Sequence, residues 1–145
     1  MDPSLASPAD AATILKLYEL RTEPVMRQAR AWMLSEFWPE TAEEYFALAA
    51  NFKDPHNAWL RQVTTYWEMA AALVLHGAVS AELYLDTNGE GFFVLAKFAH
   101  ILGEIRAKNK GFLLRTSQLV EKHTVAAAIY ERALAGVQNM RAAKK

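Results

Sequence analysis

The sequence predicts an all-α fold, a single-domain bundle of about six or seven helices. Apolar side chains recur every three or four residues along most of the chain, which is the pattern of helices that bury one face. Residues that start helices, Ser, Thr or Asp followed by Pro or an acidic side chain, stand before these stretches. The alternation of apolar and polar residues that indicates a half-buried strand is not found.

Length and composition agree with one domain. A chain of 145 residues with 52% apolar and 11% aromatic side chains can bury a core of its own. We therefore expect one helical domain over 1–145, with 1–7 and 141–145 frayed. The longest apolar run, 69–79, is much shorter than the roughly 20 residues of a membrane-spanning helix and indicates a buried helix instead.

The first helix is predicted from Ser7, Pro8 and Asp10, which supply an N-cap, a first-turn proline and an acidic first turn. Leu15 and Tyr18 are predicted to make its apolar face. Because an interior proline removes a backbone hydrogen bond, the stretch 22–24 either restarts or kinks the helix.

The second helix has Arg27 and Arg30 on its polar side and is closed by Trp38-Pro39. Its predicted apolar stripe is Val25, Ala29, Trp32, Met33 and Phe37. Thr41 and Glu44 have the spacing of a capping box, which predicts a short third helix through "EEYFALAANF".

The fourth helix is the central one, because Asp54-Pro55 opens it and Gly77 stands at its stop position. Its predicted buried stripe is Leu60, Val63, Trp67, Ala70, Ala71 and Val74. Ser80 caps a short fifth helix through "AELYLD".

The sixth helix is "FFVLAKFAHILGEIRAKN", and Lys110-Gly111 separates it from a long final helix. The predicted inward residues of the two helices are Leu95, Phe98, Leu102, Ile105, Leu119, Ala126, Tyr130, Ala133 and Val137. The predicted outer face of the sixth helix holds Glu90, Lys97, His100 and Glu104.

The stretch "DTNGEG" at 86–91 resembles the start of a calcium-binding loop. The ninth position of that loop is Val94 and the twelfth, which requires a bidentate Glu, is Lys97. The pattern therefore predicts a turn in which Asn88 and Gly89 tolerate positive φ, and no metal site.

Catalytic constellations are not found in the sequence. There is no cysteine, and His-Glu-x-x-His, Glu-x-x-His and the phosphate-binding glycine patterns are missing. His100 and Glu104 are interpreted as a surface pair. Glu68 has apolar neighbours and could be a buried acid or base, although pairing with Arg106 or Arg115 is the expected role. We predict a protein that is not an enzyme and has no cofactor.

Aromatic residues supply the candidate binding site. Four tryptophans, at 32, 38, 59 and 67, stand at helical spacings that favour a core, yet they could also line a ligand pocket between helices. An apolar surplus of this size also leaves a homodimer open. The candidate pocket or interface residues are Trp32, Trp59, Trp67 and Glu68.

Charge is divided unevenly along the chain. Residues 1–105 carry 14 acidic and 7 basic side chains, whereas residues 106–145 carry 2 and 9. A basic segment can contact an anion such as nucleic acid, and its candidate residues are Arg106, Lys108, Lys110 and Arg115. Solvated charges or an internal docking surface are favoured over nucleic acid, because aromatic side chains for base stacking are not interleaved.

The stretch from Tyr66, "YWEMAAALVLHGAVSAELYLDTNGEGFFVLAKFAHILGEIRAKN", together with "LVEKH" and the earlier "LYELRTEPVMRQARAWMLSEF", resembles a family of uncharacterised bacterial helical domains. These segments cover about two-thirds of the chain. The positions that carry the resemblance are Trp67, Glu68, Gly77, Leu83 and Arg106. The resemblance implies a helical fold and a bacterial origin, and it supplies no activity.

We expect a non-catalytic interaction or regulatory module with an unknown protein partner. A small-ligand-binding protein with a tryptophan-lined pocket and a nucleic-acid regulator that uses 106–115 are the alternatives. The N-terminus has neither a basic start nor an apolar stretch behind it, which favours the cytoplasm and no membrane association.

Overall fold

The computed structural model describes residues 5–145, which are mainly helical and contain no β-strand. The predicted all-α class is confirmed. The helices are α1 (Pro8–Arg21), α2 (Pro24–Ser35), α3 (Ala42–Ala50), α4 (Pro55–Leu75), α5 (Ala81–Thr87), α6 (Glu90–Phe98), α7 (Leu102–Lys108), α8 (Leu114–Lys122) and α9 (Thr124–Ala143). A 3₁₀ turn over Ala99–Ile101 joins α6 to α7.

The predicted helix starts are confirmed by their hydrogen bonds. The Ser7 side chain accepts from the Asp10 amide at 3.1 Å, and the Asp10 carboxylate accepts from the Ser7 amide at 2.7 Å, so the two residues form a capping box. Side chains of the N-cap residues Thr41, Asp54 and Ser80 likewise accept amide hydrogens at the starts of α3, α4 and α5.

The central element is α4, which packs against α2, α3, α6 and α8. Its predicted stripe is confirmed, since every one of its residues is buried. The helix ends before Gly77, whose φ of +75° lies in the left-handed region that favours glycine. Burial of this continuous apolar face holds the other helices around α4.

The predicted apolar face of α1 is wrong. Leu15 and Tyr18 are 68% and 57% exposed, whereas Leu17 is buried. The reason is that α1 packs through polar contacts at its two ends, where Asp10 accepts from the Ser80 amide at 2.9 Å and Arg21 donates to the Asn88 side chain. Asp10 and Arg21 lie seven residues before and four residues after Leu17, on the same face of α1. Because this buried face carries charged residues, the periodicity of apolar residues predicts the opposite face as the buried one.

The predicted outer face of α6 is also wrong in part. Arg30 on α2 forms a two-bond ion pair with Glu90, at 2.7 and 2.8 Å, and both side chains are about four-fifths buried. Lys97 is fully buried and donates to the Met33 carbonyl. The predicted outer face of α6 is therefore partly enclosed by α2. Glu90 and Lys97 can lie inside the bundle because residues of α2 supply their hydrogen-bond partners.

The turn between α5 and α6 differs from the prediction in its backbone. Asn88 and Gly89 have φ values of −137° and −115°, so neither is left-handed. Asn88 is buried, and its side chain accepts from Arg21 and donates to Thr87 at 3.0 Å. The asparagine is therefore placed by hydrogen bonding rather than by tolerance of positive φ.

The predicted long final helix is two helices that meet at His123, whose backbone is extended. Both pack against α6 and against each other. Fraying of 1–7 and 141–145 stays a prediction, and residues 1–4 lie outside the described residues. Within those ranges, Ser7 caps α1 and Arg141 donates to the Lys97 carbonyl at 2.8 Å.

Across residues 5–145, every helix falls short of the length or the apolarity that crossing a membrane requires.

Candidate functional site

An open cleft lies between α2, α3 and the start of α4. Its volume is about 430 Å³. Its wall is mainly aromatic and aliphatic, and its rim carries carboxylates, an amide and an imidazole. The residues that line it are Trp32, Phe37, Glu44, Ala47, Leu48, Asn51, Asp54 and His56. We call it the aromatic cleft.

The wall of the aromatic cleft is a stack of three rings. The Trp32 indole stacks on the Phe37 ring, with centroids 4.6 Å apart at 17°, and on the His56 ring, with centroids 5.0 Å apart at 7°. Trp59 meets Trp32 edge to face at 6.2 Å. Because Trp32 is only 5% exposed among these rings, it offers a planar ligand little surface on which to stack.

Backbone contacts fix the α3–α4 side of the aromatic cleft. The buried Asn57 side chain donates to the Leu48 and Ala49 carbonyls at 2.9 and 3.0 Å, which ties the end of α3 to α4. Asp54 accepts from the His56 amide at 2.9 Å, and its carboxylate lies 3.3 Å from His56 Nδ1. These bonds set the position of the imidazole against Trp32.

The segment 36–41 between α2 and α3 is held from the other side by α6, the 3₁₀ turn and the end of α9. Trp38 is surrounded by three basic side chains, with Lys97 Nζ at 4.0 Å, Lys144 Nζ at 5.0 Å and the Arg141 guanidinium at 5.5 Å from the ring centroid. Arg141 and His100 Nε2 also bond to the Pro39 carbonyl, at 3.2 and 3.0 Å. These contacts of Trp38 and Pro39 fix the segment that places Phe37 in the cleft wall.

Phe52 projects beside the aromatic cleft. It is 75% exposed and lies in the α3–α4 loop between Asn51 and Asp54, both of which line the cleft. The Arg61 guanidinium lies 5.6 Å from its ring. An exposed phenylalanine next to an apolar depression is a feature typical of binding surfaces.

The structure separates the residues that the sequence grouped as a pocket or interface. Trp32 lines the aromatic cleft and Trp59 contacts Trp32 without lining it, whereas Trp67 is 1% exposed in the core. A Cβ on Gly91 of α6 would stand 3.2 Å from the Trp67 ring, so α4 and α6 meet closely there. The four tryptophans therefore do not line one pocket.

Glu68 has a different partner from the guanidinium expected for it. Its carboxylate accepts from the backbone amides of Arg115 and Thr116 at 2.8 and 2.9 Å, and from the Thr116 hydroxyl at 2.7 Å. The residue before α8, Leu113, has a left-handed φ of 51° and gives no side-chain cap. Glu68 on α4 thus caps the start of α8, where a carboxylate also complements the helix dipole.

The four candidate anion contacts differ in their surroundings. Arg106 donates to the Phe112 and Leu113 carbonyls at 2.9 and 3.0 Å and to the Ser117 hydroxyl at 2.7 Å. Lys108 lies over the Phe46 ring at 4.7 Å, and Lys110 and Arg115 are exposed. Arg106 is thus engaged in holding the α7–α8 connection.

Of the residues that line the cleft, only Trp32 is a predicted site residue; the aromatic side chains that the sequence does not predict for a site are Phe37, His56 and the neighbouring Phe52. Phe37 was assigned to a core stripe, and the others stand in and after a loop without periodicity. The Asp54-Pro55 helix start was the one available signal, since it places His56 in the first turn of α4. In the range 5–145, no three His, Asp or Glu side chains are grouped so that they could hold a metal ion.

Comparison with protein families identifies the family of the chain. A family described as a domain of unknown function, DUF4760, matches residues 6–122, about 80% of the chain. The matched range includes every residue of the aromatic cleft and ends before α9. No curated protein and no solved structure matches the chain.

Proposed function

Since the chain belongs to the DUF4760 family, a domain of unknown function that brings no activity with it, we propose a function from the geometry of the chain itself. The protein is a non-catalytic interaction module that binds a protein partner at the aromatic cleft. Its bacterial origin and cytoplasmic location stay predictions from the sequence.

The observation that carries this proposal is Phe52 beside the aromatic cleft. A phenylalanine side chain that is 75% exposed lacks the favourable free energy that burial of its apolar surface would supply. A partner that fills the adjoining cleft can bury this ring and the cleft wall together. The rings of that wall are held by bonds to the backbone of α3 and of the segment 36–41. A preorganised surface of this kind loses little conformational entropy on binding.

The same geometry weighs against the alternatives. A small planar ligand would find Trp32 only 5% exposed and already stacked on two rings of the protein. An enzyme built on Glu68 would have to give up the cap of α8. A nucleic-acid regulator would use Arg106, whose guanidinium is bonded to two carbonyls of its own chain.

Site-specific photocrosslinking in the native host tests the proposal. A benzoylphenylalanine at position 52 should form a discrete protein adduct, because the ring would lie in the interface. The matched control carries the same group at Val125, which is 54% exposed and belongs to the start of α9. A ladder shared by both positions, or no adduct from position 52, would overturn the proposal.

The adduct mass separates two kinds of partner. An adduct at twice the 16.3 kDa mass of the chain identifies a second copy and hence a homodimer. Any other discrete mass identifies a different protein.

A further inference from the structure

We infer that the partner of the aromatic cleft is a basic amphipathic segment of another protein, in which a bulky apolar side chain is flanked by arginine or lysine. This inference rests on the proposed function and adds the chemistry of the partner. The supporting observations are the acidic side chains around the cleft, their lack of close ion pairs with the cations of residues 5–145, and the open shape of the apolar cleft.

Acidic side chains dominate the chain around the aromatic cleft. Residues 36–54 carry five carboxylates and one basic side chain, Lys53. Of the five, Glu44 and Asp54 line the cleft itself. The others are Glu36, Glu40 and Glu43, and all three are exposed.

Basic side chains of the protein lie near this segment without pairing closely with its carboxylates. Lys97, Arg141 and Lys144 surround Trp38, and Arg61 lies against Phe52. Within the described residues, no lysine or arginine nitrogen lies within 4.0 Å of these five carboxylates, and Asp54 contacts the His56 imidazole. The charges of Glu40 and Glu44 reach Arg141, where they act to raise a pKa that burial lowers. Arg141 nevertheless donates its hydrogen bonds to the Pro39 and Lys97 carbonyls.

Helix capping explains only part of the acidic set. Glu43 and Glu44 lie in the first turn of α3 and Asp54 caps α4, positions at which a helix dipole favours negative charge. Glu36 stands at the C-cap of α2, where the dipole disfavours a carboxylate. It directly precedes Phe37 in the cleft wall, so a basic partner would turn a local electrostatic cost into an attraction.

The shape of the site favours a protein segment over other cationic ligands. The aromatic cleft is open, and Phe52 beside it offers a second apolar contact, so a side chain and its neighbours can be accommodated together. An acidic rim repels the phosphates of nucleic acids and the anionic headgroups of membranes. In a helix or strand with both apolar and basic residues, the apolar side chains can pack on the cleft wall while the basic ones pair with the acidic rim.

The experiment titrates the full-length protein with three synthetic peptides that share one Trp-Leu-Leu centre and are flanked by arginines, glutamines or glutamates. Binding is measured by calorimetry and located by amide chemical shifts. We expect the arginine peptide to bind at least about tenfold more tightly than the glutamine peptide at low salt, with the difference shrinking as salt screens the rim. The shifts should centre on Phe37, Phe52 and His56.

Charge variants assign the effect to the acidic side chains of the cleft. The double variant Glu36→Gln/Glu44→Gln neutralises the carboxylate before Phe37 and one that lines the cleft, and it should remove much of the preference for the arginine peptide. The matched control Glu82→Gln/Asp86→Gln removes two exposed carboxylates of α5 and should leave that preference in place.

The outcomes distinguish this inference from the proposed function. Equal binding of the arginine and glutamine peptides at the cleft would overturn the basic partner and support the cleft as the docking site. Loss of the preference in the α5 control alone would overturn the assignment to this rim. No shift at the cleft with any of the peptides would overturn both proposals.

Discussion

At the scale of the residue, the contact between Gly91 and Trp67 shows how one missing methyl group sets the distance between two helices. Trp67 is the largest fully buried side chain, and its ring and Cβ stand 3.2 and 3.3 Å from where a Cβ on Gly91 would be. Protein interiors are packed closely enough that such a methyl group must displace its neighbours.

Gly91→Ala should therefore destabilise the protein by about 1 to 3 kcal/mol, measured by urea denaturation. Gly103→Ala is the matched control, because Gly103 is also the second residue of a helix and is exposed with no atom within 4 Å of an added Cβ. It should be stabilising by about 0.5 kcal/mol, since alanine restricts the unfolded chain. Equal effects at the two sites would contradict the close packing on Trp67.

Single residues also show what the sequence could not predict. The stripe of α4 could be predicted because its buried side chains are all apolar, which is what periodicity detects. The burial of Leu17 and Lys97 could not be predicted in this way, because the helix faces on which they lie carry polar groups. The partners of these groups, Ser80, Asn88 and Met33, are far away in the chain. Pairing between distant polar residues leaves no periodic signal.

At the scale of the element, α8 depends on a cap from another helix. Glu68→Ala should destabilise the protein by about 1 to 2 kcal/mol, because two amides and a hydroxyl at the start of α8 lose their acceptor. Hydrogen exchange should show the loss concentrated in the first turn of α8. Glu68→Gln keeps one carbonyl acceptor and should recover part of the stability. A variant as stable as the wild type would show that the cap is dispensable.

Helix starts were more predictable than helix connections. Ser7, Thr41, Asp54 and Ser80 cap from within a few residues, so their roles are written in the local sequence. The break at His123 has no proline or glycine to mark it. The aromatic cleft resembles the connections in this respect, because it forms where the α3–α4 loop and the segment 36–41 meet. Of the four candidate pocket residues, only Trp32 lines it.

At the scale of the whole molecule, the buried Lys97 makes stability depend on pH. Burial lowers the pKa of Lys97 to about 7, helped by the charges of Arg141 and Lys144 at the end of α9. The amine is neutral in the folded protein above that pH, whereas in the unfolded chain it stays protonated up to its ordinary pKa of 10.5. The unfolded state therefore binds more protons between about pH 7 and pH 10.5, and the fold gains stability as pH rises through that window.

Lys97→Met should remove this dependence. The wild type should gain about 1.4 kcal/mol per pH unit relative to the variant within that window, and the difference should be constant below about pH 7, where both states hold the proton. The measurement is urea denaturation of both proteins at several pH values, so that other titrating groups cancel. Lys53→Met, which removes an exposed lysine, controls for net charge. A difference that does not change with pH would show that Lys97 keeps its proton inside the fold, held by the Met33 carbonyl and the Trp38 ring.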